Sequence, residues 1–134
     1  MTSRADNDDW VLHRLEDLEK ALEQVRADLE RTWEGSVLVE AVINESDYPM
    51  VLVNGSGSSG GIDLAGPRHQ LVAEVADYVQ SQLMDQYVTR FWPACREHDR
   101  GLHSAVRDDV AVWWCRGGEH VVSGIGGLDP TLIV

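Results

Sequence analysis

The sequence predicts an α+β fold, and three patterns predict it. Residues 8–33 carry apolar side chains at alternating spacings of four and three. Two pairs of short β-branched runs are each bounded by turn formers. Between those pairs lies a second stretch with helical periodicity, opened by Pro67. The expected order is a coiled-coil-like helix, a β-hairpin, a long amphipathic helix and a small C-terminal Cys/His β-hairpin. At 134 residues the chain fits one domain with an appended element. The expected organisation is an oligomerisation helix over 1–34, a hairpin-plus-helix core over 35–91, and a Cys/His module over 92–134 packed on that core.

In the first helix the stripe is Val11, Leu15, Leu18, Leu22, Val25, Leu29 and Thr32. A seam of this kind, sustained over several turns, buries itself against a second helix. It predicts self-association through Val11, Leu15, Leu18, Leu22, Val25 and Leu29. A broader apolar face packed on the chain's own core is the competing expectation. Asn7, Asp8 and Asp9 suit a helix N-terminus, where carboxylates and amides satisfy free N–H groups. Gly35 suits its end. Arg14 and Glu19 stand at positions that pair across parallel helices.

The runs 36–43 and 49–54, joined by Asn44 to Tyr48, predict a hairpin. The glycine- and serine-rich stretch 54–61 reads as a mobile connector, since it lacks the Lys-Ser/Thr that completes a phosphate loop. From Pro67 to about Arg90, Leu71, Val72, Val75, Ala76, Val79, Leu83, Tyr87 and Val88 fall near one face, with Tyr78 and Met84 at its edge. Then 110–115 and 120–125 read as two strands around Arg116 to Glu119. Gly117 and Gly118 are expected to supply the positive φ of a tight turn there.

The charge excludes some partners. There are 23 acidic residues against 11 basic ones, a net of −12. Phosphate backbones and anionic membranes are bound through Lys and Arg. Neither nucleic acid nor a membrane is therefore an expected partner; a protein partner and homo-oligomers are. The N-terminal residues lack an apolar leader, so a cytoplasmic protein with reduced cysteines is expected.

The chemistry-bearing residues cluster between Trp92 and His120. Cys95 and Cys115 are the two cysteines of the chain, and His98, His103 and His120 stand beside them. Thiolate and imidazole are preferred zinc ligands, and four of them close a structural site. Cys95-x-x-His98 is a knuckle spacing, and Cys115 and His120 flank the expected turn. The predicted set is Cys95, His98, Cys115 and His120, with His103 as the alternative fourth ligand. The arrangement would be that of a zinc ribbon. Against it stands a reading in which the cysteines are small buried hydrophobes. Trp92, Trp113 and Trp114 are candidate partner anchors, because an exposed Trp is a common binding hot spot. Adjacent residues on a strand face opposite sides, so one of Trp113 and Trp114 should point inward.

The strings FWPACREH, AVWWC and HVVSGIGGL resemble the C-terminal ends of small proteins from actinobacteria and their phages. The shared pattern is W-P-x-C, a nearby histidine and a later W-x-C. This chain departs from it by lacking a proline directly after each cysteine. The resemblance implies no activity; it implies that Cys95, His98 and Cys115 act together.

No catalytic residue is predicted. HExxH, GxSxG and the deaminase signature are all missing from the sequence. The expected function is a non-enzymatic interaction, adaptor or assembly protein with a structural zinc. The alternatives are a small zinc or Cys/His hydrolase and a phage or particle structural component.

Overall fold

The computed structural model describes residues 4–57, 62–88, 91–98 and 100–133. Helix α1 spans Arg4–Thr32, and hairpin strands β1 (Val39–Ile43) and β2 (Pro49–Val53) follow. Helix α2 spans Arg68–Gln86. The C-terminal part holds a two-residue pair, β3 (Ala94–Cys95) with β4 (Arg100–Gly101). It also holds a meander of β5 (His103–Arg107), β6 (Val110–Cys115) and β7 (His120–Gly124). A 3-10 turn, Pro130–Leu132, follows. The α+β class and the order of the expected elements are as the sequence reads. β3, β4 and β5 are additional. Among the described residues, no helix is long and apolar enough to cross a membrane.

The apolar stripe of α1 is used differently from the coiled-coil expectation. Leu18, Leu22 and Val25 are fully buried and Leu29 nearly so, inside the protein's own core. They pack with Val51 and Val53 of β2 and with Leu71, Val72, Val75, Ala76, Val79 and Leu83 of α2. A side chain with no exposed surface cannot also serve an intermolecular seam. These four are core residues, which corrects their assignment to oligomerisation. Val11 and Leu15 are half-buried. Arg14 and Glu19 also pair within the chain, Arg14 with Asp17 at 3.4 Å and Glu19 with Arg26. The Arg26 guanidinium in addition donates twice to the Val39 carbonyl, at 2.9 and 2.7 Å, fastening β1 to α1.

The helix also starts before the predicted cap, so Asn7 to Asp9 lie inside it. It ends at Thr32, and Gly35 takes a φ of 99°, the left-handed region that glycine enters without a Cβ clash. Pro67 precedes α2 as its cap residue, and its carbonyl accepts from the Leu71 N–H at 3.0 Å. α2 stops at Gln86, short of the expected end. Met84, Tyr87 and Val88 are exposed, not part of the covered face. The connector 54–61 is described up to Gly57; its remaining residues lie outside the described ones.

One hydrophobic cluster runs through all three sequence segments. At its centre, Trp33, Trp92 and Trp113 form an edge-to-face ladder. Centroid separations are 6.5 Å between the first two and 5.5 Å between the last two. Such tilted contacts suit the ring quadrupole. Both inner indoles find acceptors: Trp92 Nε1 donates to Thr32 Oγ1 and Trp113 Nε1 to Asp28 Oδ2, each at 2.8 Å. Trp92 and Trp113 are therefore buried structural residues and not partner anchors, a second correction. Trp114 faces the other side of β6, half-buried, with the Arg107 guanidinium 5.3 Å from its ring centroid.

Asp28 is a fully buried carboxylate. Besides the Trp113 indole it accepts the Gly126 N–H at 2.7 Å and the Leu128 N–H at 2.9 Å. It ties the last turns of α1 to the segment after β7. Arg31, one turn on, donates to the Gly126 and Leu128 carbonyls at 2.6 and 3.3 Å. Asp129 then caps the 3-10 turn. The Thr131 N–H, and after it the Thr131 hydroxyl, hold its carboxyl below the usual carboxylate range. Its capping contribution is therefore present above that range and fades as pH falls through the lowered value.

Candidate metal centre

The C-terminal module presents its reactive side chains through short, well-anchored turns. After the Trp92–Pro93 bond the chain enters β3, and Cys95 pairs with Arg100 of β4. Residues 96–98 form the turn between them, which carries His98 back over Cys95. Three hydrogen bonds hold the segments that flank this turn. The Gln80 side chain donates to the Trp92 and Leu102 carbonyls at 3.0 and 2.6 Å, and the Leu102 N–H donates to the Pro93 carbonyl at 2.7 Å. The Cys95 backbone also forms an isolated antiparallel bridge with Ile133.

The second pair comes from the meander. Cys115 ends β6, His120 begins β7, and the two are register partners. Residues directly opposite in an antiparallel ladder project from the same face. The four residues between them form the connecting turn, so the wide spacing in sequence is a short distance in space.

The four side chains converge. Cys95 Sγ and Cys115 Sγ each lie 3.4 Å from His98 Nδ1. The His98 and His120 rings are 5.3 Å apart between centroids. One ligand atom from each of the four lies within 4.8 Å of all the others. Both cysteines are buried and neither is in a disulfide. Cys95, His98, Cys115 and His120 are thus close enough to bind a metal ion. With metal–sulfur bonds of about 2.3 Å and metal–nitrogen bonds of about 2.0–2.1 Å, a tetrahedron has sulfur–nitrogen edges of roughly 3.5 Å. The two 3.4 Å separations match such edges. His103, the alternative ligand, opens β5 opposite Trp114, is exposed, and lies outside the group.

Gly118 matters for a reason the sequence did not suggest. The positive φ of this turn falls on Glu119, at 51°, and not on Gly117 or Gly118. A Cβ at position 118 would stand 2.3 Å from His98 Cε1 and 2.5 Å from His120 Nδ1. The absent side chain lets the two imidazoles meet. Because the clash is with the far ends of two side chains, Gly118→Ala is expected to leave the fold intact while the imidazoles swing apart. Metal affinity should fall about 10–100-fold, the range for residues that orient ligands. Competition with a chromophoric chelator measures it; an affinity within twofold of the parent would refute the assignment.

No family model, no curated protein and no solved structure matches this chain.

Proposed function

We propose that this is a non-enzymatic interaction protein whose C-terminal module is held together by one structural zinc ion. The observation that carries the proposal is the convergence of two buried thiols and two imidazoles from separate turns. Borderline-soft zinc suits this sulfur and nitrogen donor set better than magnesium or calcium, which take oxygen ligands. Four protein ligands leave no position for a reactive water, so the ion is structural. Its binding energy is folding energy, on the order of 10 kcal/mol in small zinc modules. The local need is evident: β3 and β4 contribute two residue pairs, too few to hold a turn by themselves.

The interaction role draws support from apolar side chains that the core leaves uncovered. Trp10 and Leu12 of α1 are exposed, and Val88 and Phe91 after α2 are 83% and 65% exposed. Self-association would use these surfaces, since the lower stripe of α1 is buried. The hydrolase reading gains support from a cleft of about 400 Å³ lined by Cys95, Glu97 and His120. A closed four-ligand set favours the structural role over it.

Native mass spectrometry on metal-replete protein, before and after chelation, tests the proposal. One zinc per chain, lost on chelation together with C-terminal order, is the expected result. A metal-free protein that stays folded would sink it. The same spectra report the number of subunits.

A further inference from the structure

A second candidate site lies beside β4. α2 and β4 enclose a groove of about 420 Å³. Its apolar lining is Met84, Phe91, Trp92 and Leu102, and Arg100 and Arg116 also line it. We propose that this groove binds a small monocarboxylate with an aromatic or branched aliphatic body.

The use of cations across the molecule supports this. Arg14, Lys20, Arg26 and Arg68 each pair with a carboxylate. Arg31 and Arg96 donate to backbone carbonyls, and Arg107 lies over Trp114. Among the described residues the guanidinium groups of Arg100 and Arg116 alone of these have no such partner. In a chain of net charge −12, one apolar groove is lined by two guanidiniums that have no carboxylate partner among the described residues. Guanidinium matches a carboxylate through two parallel hydrogen bonds. The stem of Arg100 is also positioned: a Cβ on Gly117 would stand 3.1 Å from its Cδ, so the glycine leaves that space to the arginine.

The apolar half argues for the ligand's body. Phe91 is exposed beside the buried edge of Trp92, and Met84 adapts to varied shapes. The volume lies within the range of small-ligand pockets, about 300–1,000 Å³. Size and charge together favour a small monoanion over an acidic macromolecule. The remaining surface is strongly acidic and repels a polyanion at long range, whereas a single carboxylate feels mainly the two nearby arginines.

The test uses the full metal-replete chain titrated with 2-naphthoate and, separately, with its neutral amide, followed by amide and indole NMR shifts. Shifts confined to α2, Phe91, the Trp92 indole, β4, Leu102 and Arg116 are expected, with the amide binding at least about tenfold more weakly. The double variant Arg100→Gln/Arg116→Gln should lose at least about tenfold in naphthoate affinity while the indole signals keep their dispersion. Phe91→Ala should weaken naphthoate and amide alike. Equal binding of acid and amide, binding unaffected by the double variant, or no shifts at millimolar naphthoate would each overturn the proposal. The zinc reading is scored separately, by the metal content of the same untreated sample: a folded, metal-free chain that binds naphthoate would overturn the zinc reading alone, and a zinc-loaded chain that does not bind it would overturn this proposal alone.

Discussion

Cys115→Ser is expected to abolish metal binding and to lower the melting temperature by roughly 15 °C, the shift that a loss on the order of 5 kcal/mol gives in a domain of this size. The size of the effect follows from position. Cys115 is fully buried at the end of β6, opposite His120 and 3.4 Å from His98 Nδ1. Serine keeps the volume but replaces a soft thiolate with a hydroxyl that zinc binds poorly. The three remaining ligands then lose their common anchor, and β3–β4 must stand on its two residue pairs. The expected loss is part of the ~10 kcal/mol that structural zinc supplies, and a large fraction of an ordinary domain's stability of about 5–15 kcal/mol. Thermal melts of parent and variant, each with and without chelator, measure it. The parent should shift on chelation and the variant should not. If the parent melts identically in both conditions, the cysteines are ordinary core residues.

Asp28→Ala destabilises the protein by about 3–5 kcal/mol without touching the metal. The carboxylate accepts three hydrogen bonds in a place with no exposed surface. Removing it strands the Trp113 indole N–H and the backbone N–H groups of Gly126 and Leu128. Each buried donor left without a partner costs about 1–3 kcal/mol. Asp28→Asn is expected to be nearly as damaging. The amide keeps one acceptor oxygen but turns an NH₂ group toward donors. Urea denaturation of the zinc-loaded proteins checks this. A loss below about 1 kcal/mol for both variants would show that the segment after β7 is held by other contacts. Zinc stoichiometry should stay at the parent's value in either variant.

The two predictions illustrate different degrees of legibility. The candidate metal ligands are readable because each is a rare residue type at a short spacing. Cys95-x-x-His98 reads as a knuckle in one dimension, and Cys115 and His120 needed only the expectation of a hairpin between them. Asp28 carried a fainter signal. Ala21, Val25, Asp28 and Thr32 follow helical spacing, so an acid stood on a face that also turned inward. Its partners lie about a hundred positions away, as the Leu128 bond shows with a separation of 100. Nothing local announces them. Gly118 was assigned a turn role because glycine usually serves one; the structure gives it a steric role that exists once His98 is folded over it. The meeting of Arg100 and Arg116 at one groove is invisible for a related reason. Charge counted along the chain does not reveal which cations find partners in space.

The sequence by itself determined the helices, both hairpins and the residues able to ligate a metal. Each follows from short-range chemistry: periodic apolar spacing, β-branched runs, turn formers and rare side chains close together. Only the tertiary structure decided what those elements face. A stripe such as Leu18, Leu22, Val25 and Leu29 is equally content against another copy of itself or against a sheet and a second helix. The hydrophobic effect is non-directional and rewards any removal of apolar surface from water. Here α2, β2 and the tryptophan ladder supply that cover within one chain. The same long-range packing buries Trp92 and Trp113 and leaves Phe91 in solvent.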